Sequence, residues 1–85
     1  MNHQGQTAIV TGASQGIGAG VVKAFAERGF NVVANSRRIS ESKEISGSDK
    51  IALVDGDIGD PATAERVAAT ARSRFGRVDA AGSFT

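Results

Sequence analysis

The sequence predicts an α/β protein built on an open, doubly wound sheet of parallel strands. Three observations carry that prediction. Short apolar runs alternate with amphipathic stretches, a glycine-rich segment "TGASQGIG" (Thr11 to Gly18) stands at the first junction, and cap or turn residues mark the later ones. Alternation of this kind favours parallel strands, because a parallel return needs a crossover and the crossover helix then covers one face of the sheet in a right-handed unit.

Thr7 to Thr11, centred on Ala8-Ile9-Val10, reads as a buried first strand. From Gly16 the period changes to that of a helix. Ile17, Val21 and Phe25 recur at i, i+4 and i+8 with Val22 alongside, while Lys23, Glu27 and Arg28 fall on the other side. Gly29 stands where a left-handed C-terminal cap is expected. Phe30 to Ser36, "FNVVANS", is the second strand, centred on Val32-Val33. Between Arg37 and Lys50 the large apolar residues are Ile39 and Ile45, in a setting rich in Ser, Glu and Lys. That composition predicts a short, weak helix or a mobile crossover, with a turn at Ser46-Gly47-Ser48.

Ile51 to Val54 is the third strand. Asp60 as N-cap and Pro61 at the first helical position open a last helix, with Ala64, Val67, Ala68, Ala71 and Phe75 as its apolar stripe and Gly76 as its stop. The closing "RVDAAGSFT" holds one large aliphatic residue, Val78, and is short and small for a fourth strand. The expected sheet is therefore incomplete, with about three strands and flanking helices, and its open edge invites association with another chain.

At 85 residues the chain has room for one unit, spanning residues 1–85, and none for a separate substrate domain. Forty per cent hydrophobic residues with a net charge of +1 argue for a packed chain rather than a disordered one. With four Phe and no Trp or Tyr, the core must be built largely from Val, Ile, Leu and Ala, which leaves a chain of this size marginally stable. Ten basic against nine acidic residues give no broad footprint for nucleic acid. No run approaches the roughly 20 apolar residues of a membrane span, and Met1 to Gln6 lacks the pattern of a secretory signal. The absence of Cys excludes disulfides and thiolate zinc sites, and His3 has no partners at metal-ligand spacing, so no metal is expected and a cytoplasmic location fits best.

The glycines have a chemical reading. In a strand-turn-helix unit the turn brings main chain against a pyrophosphate at the positive end of the helix. Gly12 takes the tight turn, Gly16 lets a ligand approach closely, and Gly18 lets the helix pack on the sheet, while Ser14 and Gln15 add polar side chains beside Ile17. A glycine-rich turn without a ligand is the alternative. A nucleoside-triphosphate P-loop fits far less well, because Gly18 is followed by Ala19-Gly20 and no Gly-Lys-Ser/Thr occurs in the chain.

Thr11-Gly12-Ala13-Ser14-Gln15-Gly16-Ile17-Gly18 resembles the Thr-Gly-x-x-x-Gly-x-Gly signature of the short-chain dehydrogenase/reductase family. "VVANSRR", "DGDI" (Asp55 to Ile58) and "FGRVD" (Phe75 to Asp79) extend the resemblance over most of the chain. It implies a Rossmann-like fold holding a nicotinamide dinucleotide. The end of the second strand then faces the adenosine ribose. In the family an acid at the position of Ser36 goes with NAD, whereas Ser followed by Arg resembles the NADP-preferring members. The resemblance thus implies NADP rather than NAD, with Arg37 as the principal 2′-phosphate contact, Ser36 a hydroxyl partner and Arg38 a secondary charge. Gln15 departs from the pattern, since many such members carry Arg or Lys there. The bland alternative is a solvated arginine loop. Asp57 resembles the family acid that accepts from the adenine amino group, with the Ile58 backbone beside it; as part of "DGDIGDP" it also reads as a turn residue.

In the family, a Tyr within Tyr-x-x-x-Lys protonates the developing alkoxide during hydride transfer to a carbonyl. This chain has no Tyr, and Lys43 and Lys50 precede the third strand, so no catalytic residue is assigned. The chain is expected to be the NADP(H)-binding N-terminal portion of such an oxidoreductase, with a small carbonyl or alcohol substrate engaged only by a complete enzyme. The alternatives are a noncatalytic nucleotide-binding or interaction module, or a nonfunctional remnant.

Overall fold

The computed structural model describes residues 5–12, 16–43, 45–76 and 78–83; for Ile17 and residues 80–83 it describes the main chain alone. The elements run β1 (Thr7–Thr11), α1 (Gly16–Glu27), β2 (Asn31–Ser36), a 3-10 turn (Ile39–Glu41), β3 (Ile51–Asp55), α2 (Pro61–Thr70) continued by a π-helical turn (Ala71–Phe75), and β4 (Ala80–Ser83). Among the described residues the sheet has the order β3-β2-β1-β4, and every pairing is parallel. The expected α/β class and winding are present.

β1, β2 and β3 alternate their side chains between two cores, as pleated strands must. On one face Ala8, Val10, Val32 and Ala34 pack with Ala19 and Val22 of α1, and Ile39 and Ile45 of the crossover complete the cluster. On the other, Val33, Ala52 and Val54 pack with Val67 of α2 and Ala71 of its continuation. Among its described residues the crossover between β2 and β3 holds a single 3-10 turn, yet its two isoleucines are buried. Two anchors suffice where a full helix is absent.

α1 ends in a left-handed cap at Gly29 (φ 92°). The Phe30 N–H donates to the Phe25 carbonyl at 3.0 Å and the Gly29 N–H to that of Ala26 at 3.1 Å, which satisfies two of the helix's last carbonyls. The rings of Phe25 and Phe30 meet edge to face at 4.8 Å across this cap. An edge-on aromatic pair contributes about 0.5–1.5 kcal/mol beyond area burial, so the cap also fixes how the chain enters β2.

Four features differ from the sequence reading. In α1 the deepest large side chain is Val22, with Ala19 beside it, whereas Val21 and Phe25 are only partly buried. In α2 the stripe runs through Thr63, Val67 and Ala71, and Ala64 is exposed; an i, i+4, i+8 line back from Ala71 reaches Thr63, whose polar character hid it. The turn before β3 lies at Ser48 to Ile51, closed by main-chain bonds of 2.9 and 3.3 Å, rather than at Ser46-Gly47-Ser48. Finally, a fourth strand does form. Ladder bonds are made by main chain, so Ala80–Ser83 pairs with Ala8 to Thr11 without large side chains. Asp79 starts that pairing. Its N–H donates to the Thr7 carbonyl at 2.8 Å, and its carboxylate accepts from the Thr7 N–H at 2.8 Å.

α2 begins as its sequence dictates. The Asp60 carboxylate accepts from the Ala62 N–H at 3.0 Å, and Pro61 occupies a position where no N–H is needed. Replacing Asp60 with Ala should cost about 1 kcal/mol. In thermal unfolding this is expected as a midpoint lowered by about 4–8 °C; an unchanged midpoint would show that the cap contributes nothing.

Candidate functional site

Parallel pairing brings the C-terminal ends of β1, β2 and β3 to one edge of the sheet, and a cleft of about 640 Å³ opens there. Gly12, Asn35, Ser36, Arg37, Arg38, Gly56, Asp57 and Ile58 line it. Six residues singled out from sequence therefore meet in one place: Gly12, Ser36, Arg37, Arg38, Asp57 and Ile58. Gly16 and Gly18 lie in the first turn of α1, the former exposed and the latter buried, with Ile17 between them. Ser14 and Gln15 lie outside the described residues.

Gly12 (φ 67°) and Gly16 (φ 62°) both hold the left-handed conformation that an L side chain rarely adopts. A Cβ on Gly16 would meet nothing within 4 Å, so within the chain itself it is conformation, not crowding, that requires glycine there.

Across the cleft, Arg37 Nη2 stands 3.8 Å from Asp57 Oδ2, with the two side chains 83% and 59% exposed. Arg38 Nε is likewise 3.8 Å from Glu41 Oε2. Exposed pairs of this kind contribute about 0–1 kcal/mol, so either arginine is easily recruited by another anion. The other Asp57 oxygen, Oδ1, accepts from the Gly59 N–H at 2.9 Å. Asp57 is thus a turn residue with its second oxygen turned to the cleft.

Two lining residues were missed from sequence. Asn35 is buried on the α2 side of β2, where its amide donates to the Val54 carbonyl at 2.8 Å and the Gly56 carbonyl at 3.2 Å. The signal was there: a polar residue following "VVA" at a position that alternation turns inward. Gly56 has φ 138°, and a Cβ on it would come within 2.5 Å of Thr63 Oγ1 and 2.7 Å of an Arg66 guanidinium nitrogen. That close packing of a loop on α2 is not visible in the sequence. Ser36 Oγ is buried and has no hydrogen-bond partner among the described residues. An unsatisfied buried hydroxyl costs about 1–3 kcal/mol, which a ligand bond would recover.

The arginine loop is moored from behind. Asp55 accepts from the Ser40 N–H at 2.8 Å and from the Ser40 hydroxyl at 2.6 Å, tying the 3-10 turn after Arg38 to the end of β3. The Ser40 hydroxyl, and then its N–H, hold the Asp55 carboxyl below the ordinary aspartate range. Arg66 donates to the Asp55 carbonyl at 2.7 Å. Among the described residues no cluster of His, Cys, Asp and Glu is placed to hold a metal ion, and no helix is long and apolar enough to cross a membrane.

Residues 6–81 match the short chain dehydrogenase family. The chain is 42% identical over 88 residues to versicolorin reductase 1 of Aspergillus parasiticus, covering 92% of this chain and 33% of that protein. It is 37% identical over 82 residues to the 3-oxoacyl-[acyl-carrier-protein] reductase FabG of Escherichia coli, covering 93% and 33%. Among solved structures, the 3-ketoacyl-(acyl-carrier-protein) reductase of Brucella melitensis complexed with NADH superposes with a TM-score of 0.82 at 34% identity, over 92% of this chain and 33% of that one. The chain spans about a third of the length of the curated relatives it matches.

The mooring has a pH signature. Because the native Asp55 pKa is depressed, its contribution to stability is present above the unfolded aspartate value and is lost as pH falls through the native one. Ser40→Ala should therefore unfold at lower urea than the parent at pH 7, with the difference closing as pH falls and Asp55 takes up its proton. A difference that persists undiminished in acid would show that the Ser40–Asp55 bonds are not its source.

Proposed function

The chain belongs to the short-chain dehydrogenase family, and on that premise we propose that it binds the adenosine and pyrophosphate portion of NADP(H), in the cytoplasm, as the nucleotide-holding part of an oxidoreductase. The observation that carries this reading is the end of β2. Ser36, whose hydroxyl has no partner among the described residues, and the two arginines after it line the cleft together. No acid stands at Ser36 to bind a ribose 2′-hydroxyl or repel a phosphate.

The donor set fits the group. A charge-assisted hydrogen bond contributes on the order of 1.5–3 kcal/mol, against the 0–1 kcal/mol of the exposed Arg37–Asp57 pair, so a 2′-phosphate displaces Asp57 from Arg37. Arg37 is the main phosphate contact, Arg38 adds charge, and Ser36 turns its hydroxyl outward. Asp57 and the Ile58 main chain meet the adenine. Gly12, Gly16 and Gly18, with Ser14, Gln15 and Ile17, cradle the pyrophosphate where α1 begins. Bound NADP(H) supplies or accepts the hydride exchanged with a carbonyl or secondary alcohol. This chain's residues bind and orient, and the proton-handling Tyr of the family has no counterpart in a chain without tyrosine.

A second reading concerns the sheet edge. β4 stands at the end of the strand order, and its outer side suits pairing with another chain. That reading would show as a mass that rises with protein concentration regardless of nucleotide.

Titration calorimetry with NADP and NAD tests the nucleotide reading. The parent chain should prefer NADP by roughly ten- to hundredfold, and Arg37→Gln should bring the two affinities together. A preference that survives Arg37→Gln would remove Arg37 from the 2′-phosphate site.

A further inference from the structure

The two side chains assigned above to opposite ends of the adenosine moiety face each other across the cleft. Arg37 Nη2 lies 3.8 Å from Asp57 Oδ2, while Asp57 Oδ1 is committed to the Gly59 N–H at 2.9 Å. One oxygen, Oδ2, is therefore left both for Arg37 and for an arriving adenine amino group.

Resting on the reading that Arg37 meets a 2′-phosphate, we propose that Asp57 determines how strongly this site prefers NADP over NAD, by acting as a built-in competitor for Arg37. Charge separates the two nucleotides. NAD brings only a neutral hydroxyl toward Arg37, so the arginine keeps its carboxylate neighbour, and Oδ2, with two lone pairs, accepts from the adenine amino group as well. NADP brings a phosphate that draws Arg37 away from Asp57 and itself stands near that carboxylate. Asp57 thus helps both nucleotides through adenine and opposes only the phosphorylated one. The site is tuned toward tolerating both.

The ratio of the two affinities isolates this effect, because any lost adenine contact weakens both nucleotides alike. Asp57→Asn removes the charge and keeps an Oδ1 acceptor for the Gly59 N–H; Asp57→Ser, whose hydroxyl can also accept in such a turn, is the second variant if the first unfolds. Titration calorimetry of NADP and NAD on the 85-residue chain is expected to show the NADP:NAD affinity ratio raised about two- to fivefold by Asp57→Asn, the range for an exposed ion pair. In an Arg37→Gln background the same substitution should leave the ratio unchanged, closing a double-mutant cycle.

A ratio that stays put or falls in Asp57→Asn, while Arg37→Gln abolishes the preference, overturns the competitor role and leaves the nucleotide reading standing. A rise of equal size in the Arg37→Gln background also overturns it, since the carboxylate would then act on the phosphate without Arg37. No binding of either nucleotide by the parent chain, or a preference indifferent to Arg37→Gln, sinks the underlying reading instead.

Discussion

Everything in this molecule that resembles a binding site depends on the strands running in one direction. The register pairs Thr11 with Asn35 and Ser36 with Asp55, so β1, β2 and β3 stop within a residue or two of the same line. The loops that follow them then emerge side by side. An antiparallel neighbour would have sent the arginines of the β2 loop and the acid of the β3 loop to opposite ends of the sheet. The two cores enforce the arrangement, because β1 and β2 carry apolar side chains on both faces and a helical segment covers each.

Within that frame, a small number of polar side chains set the fine position of the cleft walls. Asn35 occupies an inward site where a Val would add apolar burial, and uses it to hold the carbonyls of Val54 and Gly56 as the β2–β3 ladder ends. The exchange gives up about 1.5–3 kcal/mol of side-chain burial for a fixed loop. Ser40 and Asp55 do similar work on the outer side, where the 3-10 turn would otherwise be joined to the sheet chiefly through Ile39. Both devices keep the Arg37 and Asp57 loops at a set separation, which the glycine turn alone does not determine.

The sequence made the strands, the glycine turn and the helix ends legible because each has a local cause. Ala8-Ile9-Val10 is a continuous apolar run, Gly29 needs a left-handed conformation, and Asp60-Pro61 starts a helix whatever lies elsewhere. What stayed hidden has nonlocal causes. Thr63 is buried because α2 rolls to meet Val54 and Ala52, which a stripe drawn from apolar residues alone misses. β4 forms from Ala80, Ala81, Gly82 and Ser83 because the central strand offers a free ladder, not because those residues favour a strand. The candidate site divides the same way: its members could be picked out one by one, but the approach of Arg37 to Asp57 is a property of the folded loops.

The clamp between Asp79 and Thr7 has a consequence for the order in which the chain can fold. The two residues are 72 apart in sequence, so the central strand cannot complete its second ladder until nearly all of the described chain has been synthesised. Until then β1 has a partner on one side only and presents a row of open main-chain groups on the other. Contacts of such long range come late and slow the search for the native state. A nascent chain of this kind spends its early life with a strand that serves both cores half-dressed, and whatever shields that strand in the interval, ribosome or chaperone, bears on its yield.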